Sequence, residues 1–164
     1  MRNGERRIPP GSRARPGGFT YVWMLAAIAL VSIASAAVGE RWADQSKRAR
    51  ERELLRVGAI YAGAIASYHA AAPGSFRQYP PELKSLLEDS RRVGTLRHLR
   101  KLYPDPMDPS RQWGVVRAAD GGVQGVFSQS DEVPLRTEPL QLGNVALPAA
   151  QRYSDWKFVA KVNQ

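Results

Sequence analysis

A chain of 164 residues, 43% of them apolar, is long enough for one modest domain. The absence of cysteine excludes disulfide frameworks, thiolate zinc sites, iron–sulfur clusters and cysteine nucleophiles, and two histidines, His69 and His98, leave almost no material for a histidine metal cluster. The net charge of +9 invites a nucleic-acid reading, but Arg2, Arg6, Arg7, Arg13 and Arg15 against Glu5 place +4 of it in residues 1–18.

Between Arg15 and Glu40 lie 24 consecutive positions without charge, and Phe19–Val38 is mostly apolar. Twenty residues of helix span roughly 30 Å, the thickness of a hydrocarbon core. A basic leader ahead of such a run reads as a membrane anchor, or as a secretory signal cleaved after Ala34-Ser35-Ala36. Charge alone does not orient it, because Arg41, Lys47, Arg48, Arg50, Arg52 and Arg56 follow as closely as the leader precedes.

Past Gly39 the helical pattern continues. Residues 40–53 are rich in helix formers, and Asp44–Arg48 and Lys47–Glu51 are opposite charges at i,i+4, as on a solvated helix. From Leu54 the apolar residues Leu54, Val57, Tyr61, Ala64, Ile65 and Tyr68 recur at three- and four-residue spacing, and Pro73-Gly74 is the stop. A continuous helix over Phe19–Ala72 would measure roughly 80 Å.

After it, Tyr79–Leu87 predicts a short helix opened by proline, and Leu96–Tyr103 a second; the basic run Arg91–Lys101 reads as a solvated helix face or as a docking patch for an acidic neighbour or an anionic surface. Gln112–Arg117 and Val123–Ser128 predict strands joined through Asp120-Gly121-Gly122. Pro134, Pro139, Gly143 and Pro148 mark an irregular stretch, and Tyr153–Ala160 a last strand. Trp113, Phe127, Trp156 and Phe158 are assigned to the packed face of the sheet.

Enzyme motifs are missing: there is no Gly-x-Ser-x-Gly, no His-Glu-x-x-His and no phosphate-binding glycine loop. His69, at a helix C-terminus where a positive charge is favourable, and His98, in a basic run, read as surface residues. Asp105 and Asp108 read as turn formers. A non-enzymatic protein is expected.

The junction Gly17-Gly18-Phe19-Thr20, where a basic leader ends in glycine and an aromatic residue opens the apolar helix, resembles the leader of type IV prepilins and type II secretion pseudopilins. Further along, Ala64–Tyr68, Tyr79-Pro80, Leu83–Leu87, Leu99–Pro106, Trp113–Val116 and Gly125–Ser128 are similar in order to G-type major pseudopilins. The resemblance implies an α+β, pilin-like fold: a long N-terminal helix, membrane-spanning in its first half, packed on a small antiparallel sheet. It divides the chain into a cleaved leader (1–18), a transmembrane helix (19–39), the periplasmic half of the long helix (40–72) and a head (73–164).

It also implies cleavage between Gly18 and Phe19 by a prepilin peptidase, and N-methylation of Phe19. The chain would be a single-pass protein of the bacterial inner membrane, with its N-terminus cytoplasmic and its head periplasmic. Its implied partners are like and minor pseudopilins in a periplasmic pseudopilus, an inner-membrane assembly platform and the lipid bilayer, with no nucleic acid. Small residues such as Ala26, Ala27, Ala29, Ser32, Ala34 and Ser35 would serve helix packing.

Two positions depart from the family. Trp23 stands where a glutamate pairs with a neighbour's terminal amine, and Glu40 where a proline loosens the helix. Many relatives bind calcium after the second strand; here that loop offers Asp131 and Glu132 without the Gly/Asp-rich continuation. The alternatives left open are a signal-anchored periplasmic adaptor and a minor type IV pilin of DNA uptake.

Overall fold

The computed structural model describes residues 18–72, 77–91 and 94–161, without the side chains of residues 18, 34 and 36–41. The leader up to Gly17, the Pro73-Gly74 stop and Arg92 therefore lie outside the described residues, as do the side chains of Glu40 and Ala36. The chain divides into two compact units, Met1–Ala43 and Asp44–Gln164. It is an α+β protein with one α-helix, two short 3-10 helices and small antiparallel sheets among the described residues.

The helix α1 runs Gly18–Ala70. In the second unit its stripe Leu54, Val57, Tyr61, Ala64, Ile65 and Tyr68 is buried, as the three- and four-residue spacing requires. The helix ends where the Ala72 N–H turns back to the His69 carbonyl at 3.4 Å, an i→i−3 bond that closes the last turn.

Against this stripe lies a three-stranded antiparallel sheet of order β1 (Gly114–Arg117), β2 (Val123–Phe127), β5 (Phe158–Val159). The β1–β2 turn forms as its residues demand: Gly121 takes φ +80°, and the Asp120 carboxylate accepts the Gly122 N–H at 2.9 Å. Trp113, Val123, Val126, Trp156 and Phe158 join the helical stripe in one core. Phe127 does not; it is half-buried and lies across Gly114, its partner in the β1–β2 register.

Four elements differ from expectation. The helix expected over Tyr79–Leu87 shrinks to a 3-10 turn, Leu83–Leu86. The last strand begins with a second 3-10 turn, Tyr153–Asp155, before β5. The stretch expected to be irregular holds a hairpin, β3 (Leu140–Leu142) and β4 (Val145–Leu147), turned at Gly143 with φ +54°.

Leu96–Tyr103 forms no helix, because its backbone is bonded elsewhere. Leu96 exchanges hydrogen bonds with Asp89, and the His98 and Leu99 N–H groups both donate to the Leu86 carbonyl. The Tyr103 N–H donates to the Tyr61 hydroxyl at 2.9 Å, which itself donates to the Tyr103 carbonyl at 3.0 Å. Trp113 Nε1 donates to the same carbonyl at 2.8 Å. Tertiary bonds from α1 and the sheet thus outweigh a local periodicity that reads as helical.

Candidate functional site

In the first unit, Gly18 and Phe19 lie in the first described turn of α1. Phe19 is 71% exposed and Trp23 63%. Tyr21, Val22, Met24, Leu25, Ile28, Leu30, Val31 and Ile33 are exposed as well. At about 100° per residue these positions occupy every side of the helix, so they are not a stripe awaiting one partner face.

Two of its serines bond back to the helix. Ser32 Oγ donates to the Ile28 carbonyl and Ser35 Oγ to that of Val31, each at 2.8 Å. This i→i−4 bonding gives both serine hydroxyls a partner within the helix. Among the described residues no helix is long and apolar enough to cross a membrane. The side chains described without a gap run only Phe19–Ile33, shorter than the ~20 residues a span needs.

Near the C-terminal end of α1 the second unit brings Asp89, Arg91 and His98 together. The buried Asp89 carboxylate accepts Arg91 Nε at 2.8 Å and Nη2 at 2.7 Å, the Arg91 N–H at 3.1 Å, and His98 Nε2 at 3.2 Å. The Arg91 guanidinium bonded to Asp89 holds that carboxyl far below the usual carboxylate range, with His98 adding to the effect. Arg91 also donates to the Tyr68 carbonyl at 2.7 Å and stacks 3.5 Å from the centre of the Tyr68 ring. It thereby supplies the positive charge that a helix C-terminus favours.

That charge was expected from His69. Its ring instead lies 4.6 Å from that of Tyr79, and burial, then Arg77, lowers its pKa, which works against a positive charge there. The expectation of a surface His98 is also overturned: its side chain is 1% exposed. The run Arg91–Lys101 is not a helix face, and its first arginine is tied inward.

Ser67 Oγ lies 2.9 Å from His98 Nδ1, so a hydroxyl, an imidazole and a carboxylate stand in line. As a hydrolase this arrangement fails on two counts. Arg91 already neutralises the carboxylate, and Ser67 lies within α1, where neighbouring N–H groups are spent on the helix and cannot form an oxyanion hole. The arrangement is a bracket between α1 and the following loop.

The bracket has a pH signature. In the unfolded chain Asp89 takes a proton near pH 4, whereas in the folded chain it does so far lower. Its contribution is therefore complete above about pH 4 and is lost as pH falls below that value. Acid titration followed by circular dichroism should show this loss in the wild type. Asp89→Asn should begin about 1–3 kcal/mol less stable and lack that share of the acid dependence.

Glu51, expected to pair with Lys47 on a solvated face, is instead buried. Its Oε2 accepts the Tyr153 hydroxyl at 2.9 Å and the Leu135 N–H at 2.8 Å, pinning the 3-10 turn and the loop before β3 to α1. Asp105 forms the turn expected of it: it accepts the Met107 N–H at 2.9 Å and the Ser128 hydroxyl at 2.6 Å. Asp108 does likewise with Ser110.

Asp131 lies 3.5 Å from Arg152 Nη1, and Glu132 is exposed beside it. Among the described residues no group of three or more His, Asp or Glu side chains could hold a metal ion.

Comparisons with family models, with curated proteins and with solved structures found no match.

Proposed function

We propose that this chain is a non-enzymatic pseudopilin subunit of a type II secretion-like system. A prepilin peptidase removes the leader between Gly18 and Phe19, and the new terminal Phe19 is methylated. The subunit waits in the bacterial inner membrane as a single-pass protein, with its N-terminus cytoplasmic and its head periplasmic. An inner-membrane assembly platform then extracts it into a filament of like and minor pseudopilins.

The observation that carries this reading is the change of character along α1. Its early side chains are apolar and exposed on every side, with serines bonded back to the helix, whereas its later ones bury a single stripe. Both lipid and a bundle of like helices satisfy the first part, so the helix can exchange one for the other at little cost. Only a folded domain satisfies the second. Trp23 replaces a carboxylate that would be expensive in the bilayer unless paired, so its assembly contact would be aromatic packing rather than an ion pair.

The same missing carboxylate favours a second reading, a signal-anchored periplasmic adaptor that never polymerises. Mass spectrometry of the mature N-terminus separates the two: N-methylated Phe19 supports the pseudopilin, and an intact Met1 or cleavage after Ala36 sinks it. Gly18→Ala, which puts a Cβ where the peptidase must approach the backbone, should leave an unprocessed precursor. Normal processing of that variant would contradict the proposal.

A further inference from the structure

Gln45, Arg48, Glu51 and Arg52 of α1, with Leu135 and Arg136 of the loop before β3, line a cavity of about 480 Å³. Arg48 and Arg52, four residues apart, share a helix face, and Arg52 Nε donates to the Arg48 carbonyl at 3.3 Å. Arg136 comes to the same place because the preceding residue is fixed: the Leu135 N–H is bonded to Glu51. All six residues belong to the second unit.

The charges here do not cancel one another. Glu51, the one acid of the lining, takes its hydrogen bonds from neutral donors, the Tyr153 hydroxyl and the Leu135 N–H. The arginine ion pairs of the described residues lie elsewhere, at Arg56–Glu53, Arg91–Asp89, Arg111–Asp108 and Arg152–Asp131. Three guanidiniums therefore face one concave space with a single carboxylate, itself engaged. Guanidinium forks bind phosphate oxygens in pairs, and Gln45 adds an amide that can meet a hydroxyl.

We propose that this cavity binds the phosphodiester headgroup of an anionic lipid. A free phosphate shares the chemistry, but two observations favour the lipid. The cavity is larger than a phosphate alone requires, and Gln45, Arg48 and Arg52 follow the apolar run of α1 closely in sequence. A cluster of basic residues that follows a membrane span closely in sequence favours anionic lipid. This step rests on the reading of the early helix as a membrane segment, not on processing or polymerisation. Headgroup capture would retain the subunit's lipid contact until it is extracted.

The test uses the full chain in a neutral detergent, with native mass spectrometry of lipid retention. Phosphatidylglycerol should be retained at least tenfold better than phosphatidylcholine. The double variant R48Q/R136Q should lose that preference, while R100Q, at an exposed arginine outside the cavity, keeps it. Equal retention of the two lipids, or a preference that survives R48Q/R136Q, overturns the proposal. Inorganic phosphate that displaces phosphatidylglycerol at equal concentration overturns the lipid assignment in favour of a free anion. A chain that stays unprocessed in cells yet retains phosphatidylglycerol through these arginines removes the pseudopilin reading and leaves the cavity assignment standing.

Discussion

Gly58→Ala is expected to destabilise the second unit by roughly 2 kcal/mol, although the same change in a solvated helix would stabilise it by up to about 1 kcal/mol. A Cβ built on Gly58 would overlap the Phe158 ring, closer than any real contact. Phe158 is fully buried on β5 among the core side chains, so its ring cannot swing away without displacing them. Gly63, one and a half turns further along α1, is the matched control. A Cβ there meets nothing within 4 Å, so Gly63→Ala should raise stability by about 0.5–1 kcal/mol. Urea melts of the two variants should therefore move in opposite directions. A stabilised Gly58→Ala would mean that β5 does not press on α1 as described.

The Gly58–Phe158 contact also marks the limit of what the sequence discloses. The stripe Leu54–Tyr68 was legible because helical spacing and burial are the same fact seen twice. The β1–β2 hairpin was legible because Asp120-Gly121-Gly122 is both a sequence signal and the residue set the turn geometry needs. Leu96–Tyr103 misled because its apolar spacing is helical while its N–H groups are claimed by Asp89, Leu86 and Tyr61. The β3–β4 hairpin was readable in principle. Leu140, Leu142, Val145 and Leu147 alternate about Gly143-Asn144, but the flanking prolines suggested irregular chain.

The polar brackets had no local signal. Ser67 and His98 are 31 residues apart, and Glu51 and Tyr153 are 102 apart. Each side chain alone is consistent with a solvated surface, and only the fold brings the partners together. For the candidate site the balance differs. Exposed apolar side chains around the early helix follow directly from composition, whereas the cavity of Arg48, Arg52 and Arg136 depends on a loop that arrives from more than 80 residues away.

Glu51→Ala is expected to cost about 3–4 kcal/mol, the largest single loss from a polar residue of the second unit. The substitution strands two buried donors at once, the Tyr153 hydroxyl and the Leu135 N–H, and an unsatisfied buried group costs about 1–3 kcal/mol. Glu51→Gln should cost far less, because one amide oxygen can accept both bonds. Tyr153→Phe removes one donor and leaves the carboxylate its other bond, so the double variant with Glu51→Ala should lose less than the sum of the singles. Tyr153 also carries an alkaline signature: burial, then the bond to Glu51, raises the phenol above its ordinary value. The unfolded chain releases that proton near pH 10 while the folded chain retains it, so stability should fall as pH rises through 10. Tyr61 and Tyr68 are raised by burial too and share this limb. Tyr153→Phe should therefore flatten the limb without abolishing it. An unchanged alkaline slope would place the Tyr153 hydroxyl in solvent, and with it would go the reason for burying Glu51.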